Sequence, residues 1–176
     1  SGLTSIIIPA SVKTIGRNTF RDTPLVSVTF YDISNSQLTT LDYGVFKDCT
    51  ALTSIIIPKS VIANSKWESS SLFYGCSALN NVTFEEGTEL GFISIGMFLN
   101  CTSLTSITIP ASVTSIGDSA FSGCSSLANF TLGYGTTGSS LTSVLSDAFL
   151  DSGLTDVYVE NAKQTYFIGS SGWPAS

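Results

Sequence analysis

The sequence contains no histidine. That removes the commonest general base, the usual activation of a serine nucleophile and most zinc chemistry. Charge is scarce as well: only 11% of residues are ionic, and 13 acidic against 7 basic side chains leave a net charge of -6. The basic residues (Lys13, Arg17, Arg21, Lys47, Lys59, Lys66, Lys163) never form a run, which argues against nucleic acid and anionic membrane surfaces as partners. No apolar stretch approaches the roughly 20 residues needed to span a bilayer, and the first residues lack the basic-then-apolar layout of a signal peptide. With so few charges, the surface has to be kept wet by the abundant Ser, Thr, Asn and Gly, a balance commoner in extracellular β-rich proteins. The apolar share of 43% over 176 residues is enough for one continuous core.

What the chain does contain is a repeat. LTSIIIPASV at 3–12 returns as LTSIIIPKSV at 52–61 and LTSITIPASV at 104–113. Weaker copies are LVSVTF from Leu25, LNNVTF from Leu79, LANFTL from Leu127 and LTDVYV from Leu154. The seven lead leucines are separated by 22, 27, 27, 25, 23 and 27 residues, inside the roughly 20–29 expected of leucine-rich repeats. A second register follows each strand signal and ends on Phe20, Phe46, Phe73, Phe98, Phe121 or Phe149. Each of these precedes the next lead leucine by five or six positions.

The L-x-x-I-x-I pattern alternates as a half-buried strand requires, and its β-branched residues suit a pleated surface. Stacked coils about 4.8 Å apart would pair neighbouring strands in parallel and line up the phenylalanines as a ladder. Pro9, Pro58 and Pro110 directly follow a strand, where the missing N–H ends the ladder and turns the chain. The expected fold is a leucine-rich repeat solenoid, mainly β with short helical or 3-10 turns. Its parallel sheet has about seven strands, beside a second ladder of short strands from the V-x-x-I segments. Residues 1–176 read as a single domain with repeats starting near 3, 25, 52, 79, 104, 127 and 154. The chain starts inside a repeat, so a fragment of a longer protein is expected. Inserted material at 31–37, 62–71, 85–91 and 133–140 should form loops along one side.

The fullest copy, LTSITIPASVTSIGDSAFSGCSSL at 104–127, resembles the BspA-type leucine-rich repeat, and the likeness runs along nearly the whole chain. It departs at 63–71, where the I-G step is lost, and after Val159. The resemblance implies a bacterial surface or secreted protein, or one from an anaerobic protist, and a role in adhesion to host or matrix proteins. It implies no particular ligand.

Cys49, Cys76, Cys101 and Cys124 each lie three residues after the repeat phenylalanine, a slot held by Thr23 and Ser152 in other coils. Neighbouring rungs would put these cysteines within disulfide reach by distance, but parallel side chains on one ledge rarely meet with the required dihedral. Metal binding would normally bring short C-x-x-C spacing or histidine partners. Buried free thiols are the expectation. Glu85, Glu86 and Glu89 could pair as glycosidase carboxylates or bind calcium, but they lack the alternating ligand spacing of an EF-hand. They read as a solvated acidic loop. Gly133, Gly135 and Gly138 follow a strand with no lysine or helix behind them to cradle phosphate. No catalytic residue, cofactor or metal is assigned.

The better functional candidates are the outward strand positions. Ile7, Thr29, Ile56, Thr83, Thr108, Thr131 and Tyr158 should form one exposed column, with Asn81, Asn129 and Asp156 beside it among serines. This flat, uncharged, hydroxyl-rich face either binds a partner or merely solvates a regular sheet. Tyr31, Trp67, Tyr74 and Tyr134 in the loops compete as recognition elements. Three sequons begin at Asn81, Asn100 and Asn129. The N-terminal edge at Leu3, Ile6 and Ile8 should be sticky, while Phe167 and Trp173 are placed to fold over the last coil. The leading functional expectation is a cell-surface or secreted adhesion module whose partner is a host or matrix protein or glycan. The alternative is a spacer with no ligand. A polysaccharide-cleaving solenoid comes third, because its acidic and basic groups would need to cluster.

Overall fold

The computed structural model describes residues 2–61, 71–133 and 140–154, together with the backbone of two further strands at 157–160 and 165–168. In chain order the strands are β1 (Ser5–Ile8), β2 (Thr14–Ile15), β3 (Ser27–Phe30), β4 (Thr40–Leu41), β5 (Ser54–Ile57), β6 (Asn81–Phe84) and β7 (Phe92–Ile93). They continue as β8 (Ser106–Ile109), β9 (Ser115–Ile116), β10 (Asn129–Leu132), β11 (Ser143–Val144), β12 (Val157–Glu160) and β13 (Thr165–Ile168). Each L-x-x-I-x-I copy supplies one four-residue strand, and neighbouring coils pair these in parallel: β1 with β3, β5 with β6, β8 with β10. The two-residue strands form the second ladder, as β2–β4 and β7–β9–β11, also parallel. The result is a β-solenoid, as the repeat predicts.

The core is the stack of the repeat side chains themselves. Lead leucines 25, 52, 79, 104 and 127 are wholly buried, as are Phe46, Phe73, Phe98 and Phe121. The phenylalanine rings stack from Phe20 through Phe149 with centroids 5.2–5.6 Å apart and planes within 14° of parallel. Their spacing is that of the coils, so each ring occupies one rung. Phe130 adds an edge-on contact to the last two rings, 5.7 Å from Phe121 and 5.0 Å from Phe149.

The segment around each phenylalanine was expected to be a helical turn, and it is not one. Residues two before and two after the ring take positive φ: Asn18 and Asp22, Gly44 and Asp48, Ser71 and Gly75, Gly96 and Asn100, Ser119 and Gly123, Asp147 and Asp151, mostly Gly, Asn or Asp. Left-handed residues interrupt any helix, and Gly, Asn and Asp are the types that tolerate the conformation. The chain instead descends by successive turns, with alternate N–H groups turned outward to the next coil. The N–H groups of Phe20, Phe46, Phe73, Phe98 and Phe121 donate to Val45, Leu72, Met97, Ala120 and Ala148 at 2.7–3.1 Å. Asn18 and Asp22 do the same toward Tyr43 and Lys47. Among the described residues, 3-10 structure is confined to Ile33–Asn35.

Two further differences have physical causes. The seventh strand, β12, does not extend the parallel array but pairs antiparallel with β13, Val157 opposite Ile168 and Glu160 opposite Thr165. After Val159 the repeat ends, and the β-prone run Tyr166-Phe167-Ile168 lies within a short connection of β12. A hairpin needs a far shorter link than another parallel coil. The long sheet is also interrupted. β3 and β5 share only the Ser27–Ser54 bridge, and among the described residues no ladder joins β6 to β8. Both breaks follow a strand ending in phenylalanine, Phe30 or Phe84, and precede one ending in Ile-Pro. Coils therefore associate in doublets, β1/β3, β5/β6 and β8/β10, with strands splayed between doublets.

Truncating the middle of the ring stack should be severe, because Phe73 is wholly buried between two parallel rings. Phe73→Ala is expected to cost about 3–5 kcal/mol, read as a drop in the urea midpoint at unchanged slope. A loss under about 1 kcal/mol would mean that the stack is not the core of the fold.

Candidate binding face

Strand alternation sends Ile6, Val28, Ile55, Val82 and Ile107 inward and the next residue of each strand outward. Ile7, Thr29, Ile56, Thr83, Thr108 and Thr131 are all exposed, Ile7 at 66% and Ile56 at 50%. Asn81 and Asn129 are exposed beside them, as are Ser5, Ser27, Ser54 and Ser106. Backbone register brings the column together in pairs: Ile7 opposite Thr29, Ile56 opposite Thr83, Thr108 opposite Thr131. Tyr158 lies on β12, whose hairpin pairing sets it opposite Phe167, and its side chain lies outside the described residues. Asp156 lies outside them too.

The face is not flat. At the β3/β5 break lies a groove of about 380 Å³ walled by Thr29, Ile33, Ile56 and Thr83. At the β6/β8 break lies a larger one of about 640 Å³, walled by Asn81, Thr83, Glu86, Ser106 and Thr108 and closed at one end by Pro110 and Ser112. Asn81 and Thr83 line both, so the two hollows are neighbours on either side of β6. Glu85 is tied down in the wall of the larger groove, accepting the Lys59 N–H at 2.9 Å and facing its ammonium at 3.8 Å. Glu86 is exposed. The Oγ1 atom of Thr88, also in that wall, is buried with no hydrogen-bond partner. The signal for the grooves was present in the sequence as the alternation of Ile-Pro and Phe strand endings, but the pattern within one repeat does not reveal it.

The cysteines point into the interior, wholly buried and unbridged. Each Sγ donates to the carbonyl of the phenylalanine one coil earlier: Cys49 to Phe20, Cys76 to Phe46, Cys101 to Phe73 and Cys124 to Phe98, at 3.0–3.1 Å. Thr23 fills the slot in the first complete coil, where its hydroxyl reaches the Phe20 carbonyl at 2.6 Å and Cys49 Sγ at 3.4 Å. Burial raises every thiol's pKa, reinforced at Cys101 by the thiols of Cys76 and Cys124, and pushes Cys124 up to about 12. Thiolate chemistry is thereby suppressed.

The other candidates are less coherent. Tyr31 is 68% exposed. Tyr74 is half-buried, because the Lys47 ammonium sits 4.4 Å above its ring. Arg17 caps Tyr43 in the same way at 5.1 Å. Trp67, Tyr134, Gly135, Gly138 and Trp173 lie outside the described residues, as does the side chain of Phe167. Of the N-terminal edge, Leu3 is exposed, Ile6 half-buried and Ile8 buried. The sequon residue Asn100 is exposed with φ of 61°.

The sequence matches the family described as BspA type leucine rich repeat region, in six copies, over residues 1–87 and 69–171. Among solved structures, the fold resembles a leucine-rich repeat protein from Bacteroides ovatus, 32% identical, with a TM-score of 0.66. That match covers 85% of this chain and 35% of the other. One from Eubacterium ventriosum is 22% identical with a TM-score of 0.68 over 96% of this chain and 47% of its own. A leucine rich cell surface protein from Faecalibacterium prausnitzii is 22% identical with a TM-score of 0.58 over 98% and 53%. The last two show the fold alone. This chain spans between about a third and a half of the length of these proteins. No curated protein matches the sequence.

The thiol environment sets an alkaline limit on stability. An unfolded cysteine loses its proton near 9.0, whereas folded Cys124 holds it to about 12. Stability is therefore full below pH 9 and falls as pH rises toward the folded value, by about 1.4 kcal/mol per pH unit for each such thiol. Cys124→Ser keeps a donor for the Phe98 carbonyl and removes the titration. Urea unfolding between about pH 8 and 11 should show a shallower loss of stability in that variant. Parallel pH profiles for the two proteins would disprove the burial of this thiol.

Proposed function

The chain belongs to the BspA-type leucine-rich repeat family, and on that basis we propose that it is a binding and adhesion module working at the cell surface or outside the cell. The observation that carries this is the exposed column from Ile7 to Thr131, present on six successive coils and free of charge along its length. Isolated exposed apolar residues mean little, but a scaffold that holds the same outward position on coil after coil makes an extended contact surface. Tyr158 and Asp156 are included in the proposed face by their place in the sequence repeat, and Asn81 and Asn129 flank it. The name of the Faecalibacterium prausnitzii neighbour, a cell surface protein, supports the location. A rigid face of this kind needs no ordering on binding, so small contact energies per coil add up across the array. Among the described residues no helix is long and apolar enough to cross a membrane, and the face itself is the wrong chemistry for lipid.

The partner is a macromolecule of the host or matrix, and the reading assigns no catalysis to this segment. The test is adhesion of the immobilised chain to a panel of matrix proteins and glycans. It is compared with a variant carrying Ile7→Lys and Thr108→Lys, both exposed and so tolerated by the fold. Binding should fall about tenfold or more in the variant, the equivalent of about 1.4 kcal/mol. Equal binding by the two proteins, or none by either, would refute the reading.

A further inference from the structure

Resting on that reading of the face, we infer that its ligand is a neutral, linear glycan lying along the solenoid axis, across the strands, in the trough formed by the two grooves. Four observations lead there. First, the hollows share the wall residues Asn81 and Thr83 and so lie side by side along the face. Secondly, the breaks that open them recur every second coil, at β3/β5 and β6/β8. Successive rungs stand 5.2–5.6 Å apart, close to the length of one hexose ring, so a glycan that repeats every two sugars meets equivalent surroundings at each groove.

Thirdly, the lining is chemically suited to hydroxyls. Asn81 offers both a donor and an acceptor, Thr29, Thr83, Ser106 and Thr108 offer hydroxyls, and the Glu86 carboxylate can accept from two sugar hydroxyls. The exposed side chain of Ile56 provides an apolar patch for the C–H face of a ring. Neither groove is lined by Lys or Arg, while Glu85 and Glu86 stand at the larger one. An anionic chain, sulfated or uronate, would meet the exposed Glu86, while the neighbouring cation, Lys59, is already engaged by Glu85 at 3.8 Å.

Fourthly, the obvious rival is excluded by width. Two unpaired strand edges invite insertion of an extended peptide. A strand seated between β6 and β8 needs about 9.6 Å between its flanks, yet their Cα atoms come within 8 Å of each other. The ligand has to lie over the break, not in it.

Calorimetry with cello-, manno- and chito-oligosaccharides of increasing length, against sulfated and uronate oligomers as counter-probes, tests the inference. A neutral series should bind with affinity rising about tenfold from disaccharide to hexasaccharide, and Asn81→Ala should lower the hexasaccharide's affinity about tenfold, the worth of one or two hydrogen bonds. Thr142→Ala, exposed beside β11 and outside both grooves, should bind as the parent does. Matching urea midpoints for the three proteins establish that folding is intact. The inference is overturned if no neutral series binds at millimolar concentration, if affinity ignores length or Asn81, or if the anionic oligomers bind more tightly. If sugars fail while a matrix protein binds and is lost in the Ile7→Lys, Thr108→Lys variant, the glycan falls and the binding face stands.

Discussion

Everything in this molecule hangs on the contact between one coil and the next around the repeat phenylalanine. The ring stacks on its neighbours at 5.2–5.6 Å, and its N–H group donates to the following coil at the same height. Hydrophobic burial and backbone satisfaction therefore act at a single point, and neither is available to an isolated coil. A solenoid's stability is a sum of such nearest-neighbour terms. The left-handed residues two places either side are the condition for it. They turn alternate N–H groups outward while keeping the ring inward, at a backbone cost that Asn, Asp and Gly keep small.

The cysteine slot follows from that same arrangement. With the chain turning so tightly, the phenylalanine carbonyl faces the interior, where it already accepts the N–H of the residue three places on, Thr23 to Phe20 at 3.2 Å and Cys49 to Phe46 at 3.1 Å, and keeps a second lone pair. A thiol from the next coil reaches it at 3.0–3.1 Å. Sulfur suits the place because it is small, apolar enough to be buried and still a weak donor. Thr23 holds the same slot with a hydroxyl, which donates to the Phe20 carbonyl of its own coil beside the Cys49 thiol. What first resembles a redox or metal motif thus adds a second, coil-to-coil hydrogen bond to a carbonyl already paired within its own turn, and burial withholds the thiolate that either chemistry would need.

Much of this was legible in the residues. The spacing of the lead leucines gave the coil, the I-x-I alternation gave the strand faces, and the V-x-x-I segments gave the second ladder, seen at Thr14–Ile15 and Ser115–Ile116. The outward column was placed correctly wherever its side chains are described, from Ile7 to Thr131. Three things were not legible, each because it depends on more than one repeat. The turn around each phenylalanine resembles a helical turn by its short apolar spacing, and only the coil-to-coil bonds show why left-handed residues are needed. The reversal at β12 depends on a competing partner, β13, beyond the repeat. The breaks in the sheet follow the order of unlike coils, falling where a Phe coil (Phe30, Phe84) precedes an Ile-Pro coil and not where the order is reversed.

That last dependence connects the fold to its use. If every coil ended its strand alike, the sheet would close into an even surface whose backbone groups were all spent on one another, leaving only side-chain tips to offer a partner. Alternating two kinds of coil keeps the stack continuous in the core, where every ring from Phe20 to Phe149 stays 5.2–5.6 Å from the next, while letting the face part at every second junction. The core tolerates this because the ring ladder and the strand sheet are separate columns of the same coil, joined by the chain but not obliged to pair to the same extent. Recognition features can therefore vary along the face at little cost to the stack, which is what a repeat scaffold needs in order to acquire a site without losing its fold.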